Sequence, residues 1–196
     1  FLKLERDLYV DDDCWVPPLW GLRREMVGFK SHPFYDQADR QAFLVRRGDR
    51  LVGRVLAIVN HEHNRRYNQK MGFFGFYECM DDIEASNELF SVAGDWLRQR
   101  GMTMLRGPVN PSLNYECGLL VKGFDTPPTF MITYNHEYYG RLIEGFGFTK
   151  VQDLFSYDAH IDIINELDPK VMFVVAEATR RFRVECRPID RNNFSA

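Results

Sequence analysis

Residues 71–80 constrain the fold more than any other stretch of the chain. Read as a strand, they place Phe74, Phe76 and Glu78 on one face and Phe73, Gly75, Tyr77 and Cys79 on the other. Rings on both faces are buried only if both faces are covered, so this strand belongs in the middle of a sheet with helices on either side. The next residues supply one such cover. Over 83–100, Ile83, Leu89, Phe90, Ala93, Trp96 and Leu97 form an apolar stripe at helical spacing, Asp81 and Glu84 precede it with capping-box spacing, and Gly101 stands at the C-cap.

Upstream, residues 42–47 and 51–60 are β-rich runs around the turn-prone Arg47-Gly48-Asp49-Arg50, which predicts a hairpin. The polar stretch 61–68 reads as a surface loop. Residues 1–10 predict a short helix, Trp15-Val16-Pro17-Pro18-Leu19 a rigid extended segment, and 20–29 a second helix. Downstream come a short strand at 103–106, dense turn chemistry over 107–114 and a short helix over 138–144 broken by Gly145-Phe146-Gly147. A strand follows over 148–157, then a helix capped by Asp168 with Pro169 in its first turn and running to about 181, then an extended run over 184–189. The fold class expected is α/β, with a mixed, mostly antiparallel central sheet flanked by helices.

Composition narrows the function classes. With 196 residues, 45% hydrophobic content and a net charge of -3, the chain buries a real core and has no general attraction for nucleic acid. Arg65, Arg66 and Tyr67 read as a solvated loop. No apolar run approaches the roughly 18–20 residues of a membrane-spanning helix and no signal-peptide pattern opens the chain, so no membrane partner is expected and the cytoplasm is the expected compartment. Cys14, Cys79, Cys117 and Cys186 are scattered and read as reduced and mostly buried. His61 and His63 flank Glu62 without an evident third ligand, so no metal is expected. The sequence opens on Phe1 rather than Met and stops after residues 192–196 with no element to finish it, which reads as a piece of something longer.

The order of elements resembles the GNAT superfamily of acetyl-CoA-dependent N-acetyltransferases, most specifically through Gly53-Arg54-Val55 on the hairpin and the short helix leading into Gly147-Phe148. The segments 73–79, 106–112 and 123–128 are similar to a bacterial GNAT-like branch whose members carry two such domains in tandem. The resemblance implies a GNAT-like acyltransferase domain over residues 1–158. It implies a connecting helix and the first strand of a second, truncated GNAT-like domain over 159–196. It also implies acetyl-CoA or another acyl-CoA as donor, and a small-molecule or peptide amine as acceptor that attacks the thioester directly. Family proteins hold the cofactor pyrophosphate on a glycine-rich loop after the central strand. Here that place carries Asp81, Asp82 and Glu84 and no Gly or basic residue, so a pyrophosphate would meet like charge. An alternative follows from this departure: a non-catalytic GNAT-like module that binds a ligand or pairs with its sister domain.

The resemblance assigns Glu78 as general base, where a carboxyl in an aromatic setting has a raised pKa. The competing reading pairs Glu78 with Arg54 or Arg106. The position of the family's acidic Tyr is Ile143, and Tyr139 stacks one turn above it, leaving Tyr139 either as general acid or as an amphipathic ring at the rim of the core. Arg106, Asn110, Ser112, Asn114 and Tyr115, with Glu116 beside them, form the densest polar cluster after a strand. They either read substrate or fold their own loop as Asx-turns.

Overall fold

The computed structural model describes residues 1–157, 160, 162, 168–183 and 188. The chain forms α1 (Leu2–Leu8), α2 (Trp20–Met26), β1 (Ala38–Arg47), β2 (Arg50–Asn60), α3 (His61–Tyr67), β3 (Met71–Cys79), α4 (Ile83–Arg98), β4 (Met104–Arg106), β5 (Val109–Asn110), β6 (Glu116–Cys117), α5 (Tyr139–Gly145) and α6 (Pro169–Phe182). The main sheet has the order β1-β2-β3-β4. It is antiparallel except for the β3–β4 pair, which α4 joins as a parallel crossover. β5 and β6 make a separate antiparallel hairpin. The architecture is therefore mixed α/β, with a mostly antiparallel sheet flanked by helices.

All nine residues of β3 are buried, as a central strand with rings on both faces requires. α4 covers one face: Leu89, Phe90, Ala93 and Leu97 pack with Val55, Ala57 and Val59 of β2, Phe74 and Tyr77 of β3, and Leu142 and Ile143 of α5. On the other face Leu56, Ile58, Phe73 and Phe76 pack with Val27, Ala38 and Val109. Strict alternation would put Phe74 and Phe76 together, yet they lie in different clusters. The cause is a β-bulge. The β2–β3 register slips between Arg54 and Leu56, and Phe76 adopts a left-handed φ of 48°. One extra residue inverts the facing of everything beyond it, so Tyr77 and Cys79 join Phe74, and Glu78 follows Phe76 to the opposite side.

Two glycines let the β5 segment cross β3 at this point. A Cβ on Gly75 would lie 1.6 Å from the Val109 carbonyl oxygen, and one on Gly107 would lie 2.4 Å from that of Phe74. Only residues without a side chain permit this backbone-on-backbone contact.

Several local expectations are corrected. Residues 61–67 are a helix, because the Asn60 side chain caps His63 N–H and Asn68 closes the end in a left-handed conformation. Asp82, rather than Asp81, is the N-cap of α4, accepting from Ala85 N–H at 3.0 Å. Residues 148–157 form no strand. Val151, Leu154, Phe155 and Tyr157 are exposed, so the apolar character that predicted a strand is not paired into the sheet. Cys14, Cys79 and Cys117 are free thiols, of which only Cys79 is buried.

The chain divides into two units, Phe1–Gln152 and Asp153–Ala196. The first holds both sheets and α1 to α5. In the second, Asp168 caps α6 by accepting from Lys170 N–H, and Val171, Met172, Phe173, Val174 and Val175 are exposed. Apart from Pro188, the extended run expected over 184–189 falls outside the described residues. No helix among the described residues is long and apolar enough to cross a membrane.

Candidate functional site: a charged floor beneath an apolar cleft

Beyond the bulge, Glu78 and Arg54 are cross-strand partners in the β2–β3 register. Both side chains are buried, and the Arg54 guanidinium lies 3.5 Å from Glu78 Oε1. Arg54 also donates to Glu5 Oε2 at 2.8 Å, to the Phe76 carbonyl at 3.0 Å and to the Phe1 carbonyl at 3.0 Å. Glu5, on α1, accepts through its other oxygen from Arg23 of α2 at 2.9 Å. Arg23 in turn donates to Glu116 of β6 at 3.0 Å. Three carboxylates and two guanidiniums thus alternate in one chain, buried at Glu78, Arg54 and Glu5 and partly exposed at Glu116: Glu78, Arg54, Glu5, Arg23, Glu116.

Glu78 Oε2 accepts two phenolic hydrogen bonds, from Tyr139 of α5 at 2.6 Å and from Tyr9 at 3.0 Å. Tyr139 also receives the Cys79 N–H at 3.1 Å, which locks its hydroxyl between two backbone-anchored partners. Tyr9 is sandwiched between His136 at 4.3 Å and Trp15 at 5.5 Å, both stacked. Burial pushes the Glu78 carboxyl up to about 7. Arg54 and the two phenols oppose the rise, and Glu5 adds to it. Burial, followed by the adjacent Glu78, drives both Tyr9 and Tyr139 far above the ordinary phenol range. Burial likewise pushes the Cys79 thiol up to about 12, which leaves it protonated and a poor nucleophile.

Of these groups Glu5, Arg23, Arg54, Glu78, Glu116 and Tyr139 line a cavity of about 530 Å³, and Tyr9 lies behind Glu78 outside it. Much of the rest of its lining is apolar, including Trp15, Val16, Leu22, Phe130, Met131 and Ile132. A pocket of this size, lined by both apolar residues and a chain of charged ones, suits an amphiphile. A carboxyl poised near neutrality can accept a proton there at physiological pH.

The residues singled out in the sequence separate on inspection. Glu78 and Tyr139 are in direct contact at the floor. Asn110, Asn114 and Tyr115 line the cavity, whereas Arg106 and Ser112 do not. Asn110 braces the bulge, its Oδ1 accepting from Phe76 N–H at 2.6 Å and its Nδ2 donating to Glu116 at 3.4 Å. Ser112 folds its own loop, accepting from Asn114 N–H at 3.3 Å through Oγ and from Tyr115 N–H at 3.1 Å through its carbonyl. Arg106 pairs with Phe73 in the β3–β4 register. The acids before α4 are engaged with surface arginines: Asp81 with Arg141, and Asp82 and Glu84 with Arg47. The Ala85 N–H, stiffened by Arg47, holds the Asp82 carboxyl below its usual range. A helix start with its N–H capped and three carboxylates around it does not fit a pyrophosphate. Among the described residues, His61 bonds Asp39 and His63 faces Gln69.

Sequence reasoning missed Glu5, Tyr9 and Arg23 as site members. One signal was present: Glu5 interrupts the apolar face that carries Leu4 and Leu8, and Tyr9 lies four residues beyond it. A carboxyl amid an apolar stripe demands a buried partner.

No family model matches the chain, and no solved structure matches it. Two curated proteins are similar to it. A bacterial ceramide synthase from Caulobacter vibrioides (strain NA1000 / CB15N) is 41% identical over 160 residues, covering 81% of this chain and 42% of that protein. Protein YghO of Escherichia coli (strain K12) is 35% identical over 195 residues, covering 100% of this chain and 49% of that protein. The chain therefore spans less than half the length of each of these relatives.

Proposed function

We propose that this chain is the amine-binding part of an N-acyltransferase whose acceptor is a long-chain amine. The observation that carries the reading is the position of Glu78, a carboxyl raised to about 7 among the charged residues lining a largely apolar cavity. The likeness to a bacterial ceramide synthase supports it, because a ceramide is the amide of a long-chain amino alcohol and a fatty acid. The element order supports a GNAT-like reading of the fold, with a second GNAT-like domain of the same protein as partner.

In this reading an ammonium group approaches Glu78 Oε1, which lies 3.5 Å from Arg54 and accepts neither phenol. Glu78 takes one proton and leaves a neutral amine. The amine nitrogen attacks the acyl carbonyl, the bond from that carbonyl to the donor's leaving group breaks, and the amide's surplus proton leaves with that group. Tyr9 and Tyr139 position the carboxylate, their protons being directed at Oε2. The donor is an activated acyl group, an acyl-CoA or another thioester, whose carrier is held away from the acidic α4 start. The deciding experiment supplies the full-length protein with a long-chain amine and an acyl thioester and follows the amide by mass spectrometry. Glu78→Gln is expected to lower turnover by about 100-fold or more; unchanged turnover would refute the assignment.

One observation favours a second reading, a ligand-binding module without turnover: the α4 start, where family members place the cofactor phosphates, is capped by Asp82 and surrounded by Asp81 and Glu84. Saturable amine binding with no amide formed by the full-length protein would select it.

A further inference from the structure

The two edges of the main sheet are built differently. β1 forms one edge. It carries Asp39, Arg40, Arg46 and Arg47 along its length and a β-bulge between Val45 and Arg46. Charged side chains and bulges keep a sheet edge from pairing with further chain. β4 forms the other edge, and among the described residues no strand pairs with its outer side. Its sequence, Met104-Leu105-Arg106, has no charge before its last residue and its register no bulge.

Brevity also blunts an edge, yet β4 does not lie against plain polar surface. An apolar cavity of about 490 Å³ adjoins it, with Leu97, Met102, Met104, Leu105, Phe146 and Phe148 in its lining. α4 packs chiefly over β1 and β2, which leaves this end of the sheet less covered. Arg106 is half-buried, and its side chain has no ion pair or hydrogen bond among the described residues. A guanidinium partly withdrawn from water calls for a carboxylate.

An extended segment laid along β4 answers all three features. Its backbone takes the open edge, its apolar side chains enter the cavity, and a carboxylate on it meets Arg106. A helix docked there would leave the edge N–H and C=O groups unpaired. A second copy presenting its own β4 would bring two guanidiniums to the contact and no carboxylate. A longer protein has the length to supply such a segment, since more than half of each curated relative lies outside its match to this chain. A tethered segment also pairs at an effective concentration that a separate molecule rarely reaches.

We propose that β4 is the seam at which the rest of the full-length protein joins this sheet, through an extended segment from outside residues 1–196 that carries apolar side chains and an Asp or Glu for Arg106. The proposal rests only on the part of the reading above that gives the protein a second domain. It is tested in the full-length protein by replacing Met104, 46% exposed, with the photo-crosslinker p-benzoylphenylalanine, irradiating, and mapping the adduct by mass spectrometry. The expected adduct joins position 104 to an acid-bearing apolar peptide from outside residues 1–196 of the same molecule. Met104→Lys is expected to lower the urea midpoint, whereas Leu44→Lys, on the β1 edge at a similar 49% exposure, is expected to leave it unchanged. An adduct to a second copy, an adduct within residues 1–196, no adduct, or equal tolerance of the two lysines would overturn the seam. Amide formation is measured separately, so any of these results leaves the amine reading of Glu78 standing.

Discussion

Tyr9 and Tyr139 donate to the same oxygen of Glu78, at 3.0 Å and 2.6 Å, from helical segments at opposite ends of the first unit. Two phenols on one oxygen leave Oε1 to the Arg54 guanidinium, 3.5 Å away. Both bonds favour the ionised carboxylate, against the burial that disfavours it.

Glu78→Gln tests the base and its energetics together. The wild-type rate is expected to rise through about pH 7 as Glu78 ionises. Stability runs the opposite way. The folded-state pKa is raised, so the folded protein holds this proton more tightly than the unfolded chain does. Its contribution is full below about pH 4.5 and is lost as pH rises through about 7. Urea denaturation from pH 4.5 to 8 should show the wild type losing about 3 kcal/mol relative to Glu78→Gln.

Tyr9→Phe removes one bond that stabilises the charged carboxylate. The rising limb of the pH–rate profile is expected to shift to higher pH, with activity at pH 7 lowered and largely recovered above pH 8. Tyr139→Phe shifts the limb the same way and also orphans the Cys79 N–H, costing a further 1–3 kcal/mol or so of stability in urea titration. A limb that does not move in either variant would dissociate the phenols from Glu78 titration.

Arg54→Leu leaves Glu5 and Glu78 without the guanidinium between them. Breaking a buried pair in this way costs about 3–5 kcal/mol. The loss is expected to be smaller at pH 5, where Glu78 is protonated, than at pH 8. Equal losses at the two pH values would show that Arg54 does not act through Glu78.

Gly75→Ala places a methyl group against the Val109 carbonyl. Either β3 or the β5 segment must move, with a stability cost of at least about 1–3 kcal/mol. Since β5 leads into the loop carrying Asn114 and Tyr115, amine affinity is expected to fall with it. A variant of wild-type stability and affinity would contradict this backbone crossing.

The sheet and its covers were legible in the sequence because periodicity carries them: the hairpin around residues 47–50, the all-buried β3 and the amphipathic α4 follow from alternation and helical spacing. Glu78 and Tyr139 were legible as polar groups in an aromatic setting. Their facing was not, because the bulge at Phe76 rests on a left-handed residue that is not glycine and leaves no pattern in a window of letters. α3 was missed because a polar helix held by Asn60 and Asn68 has no apolar stripe to announce it. The roles of Glu5 and Arg23 arise only from long-range packing, Arg23 meeting Glu116 across 93 positions.

Glu5 and Tyr9 tie α1 to the sheet by polar bonds, and residues 10–14 lead from it to Trp15–Leu19, which line the cleft. The seven-residue helix is therefore a clasp fastened by the chemistry of the site itself. Resistance of residues 10–19 to limited proteolysis becomes a gauge of whether the ionic floor is assembled, and a molecule that settles on that floor protects a peptide bond it never touches.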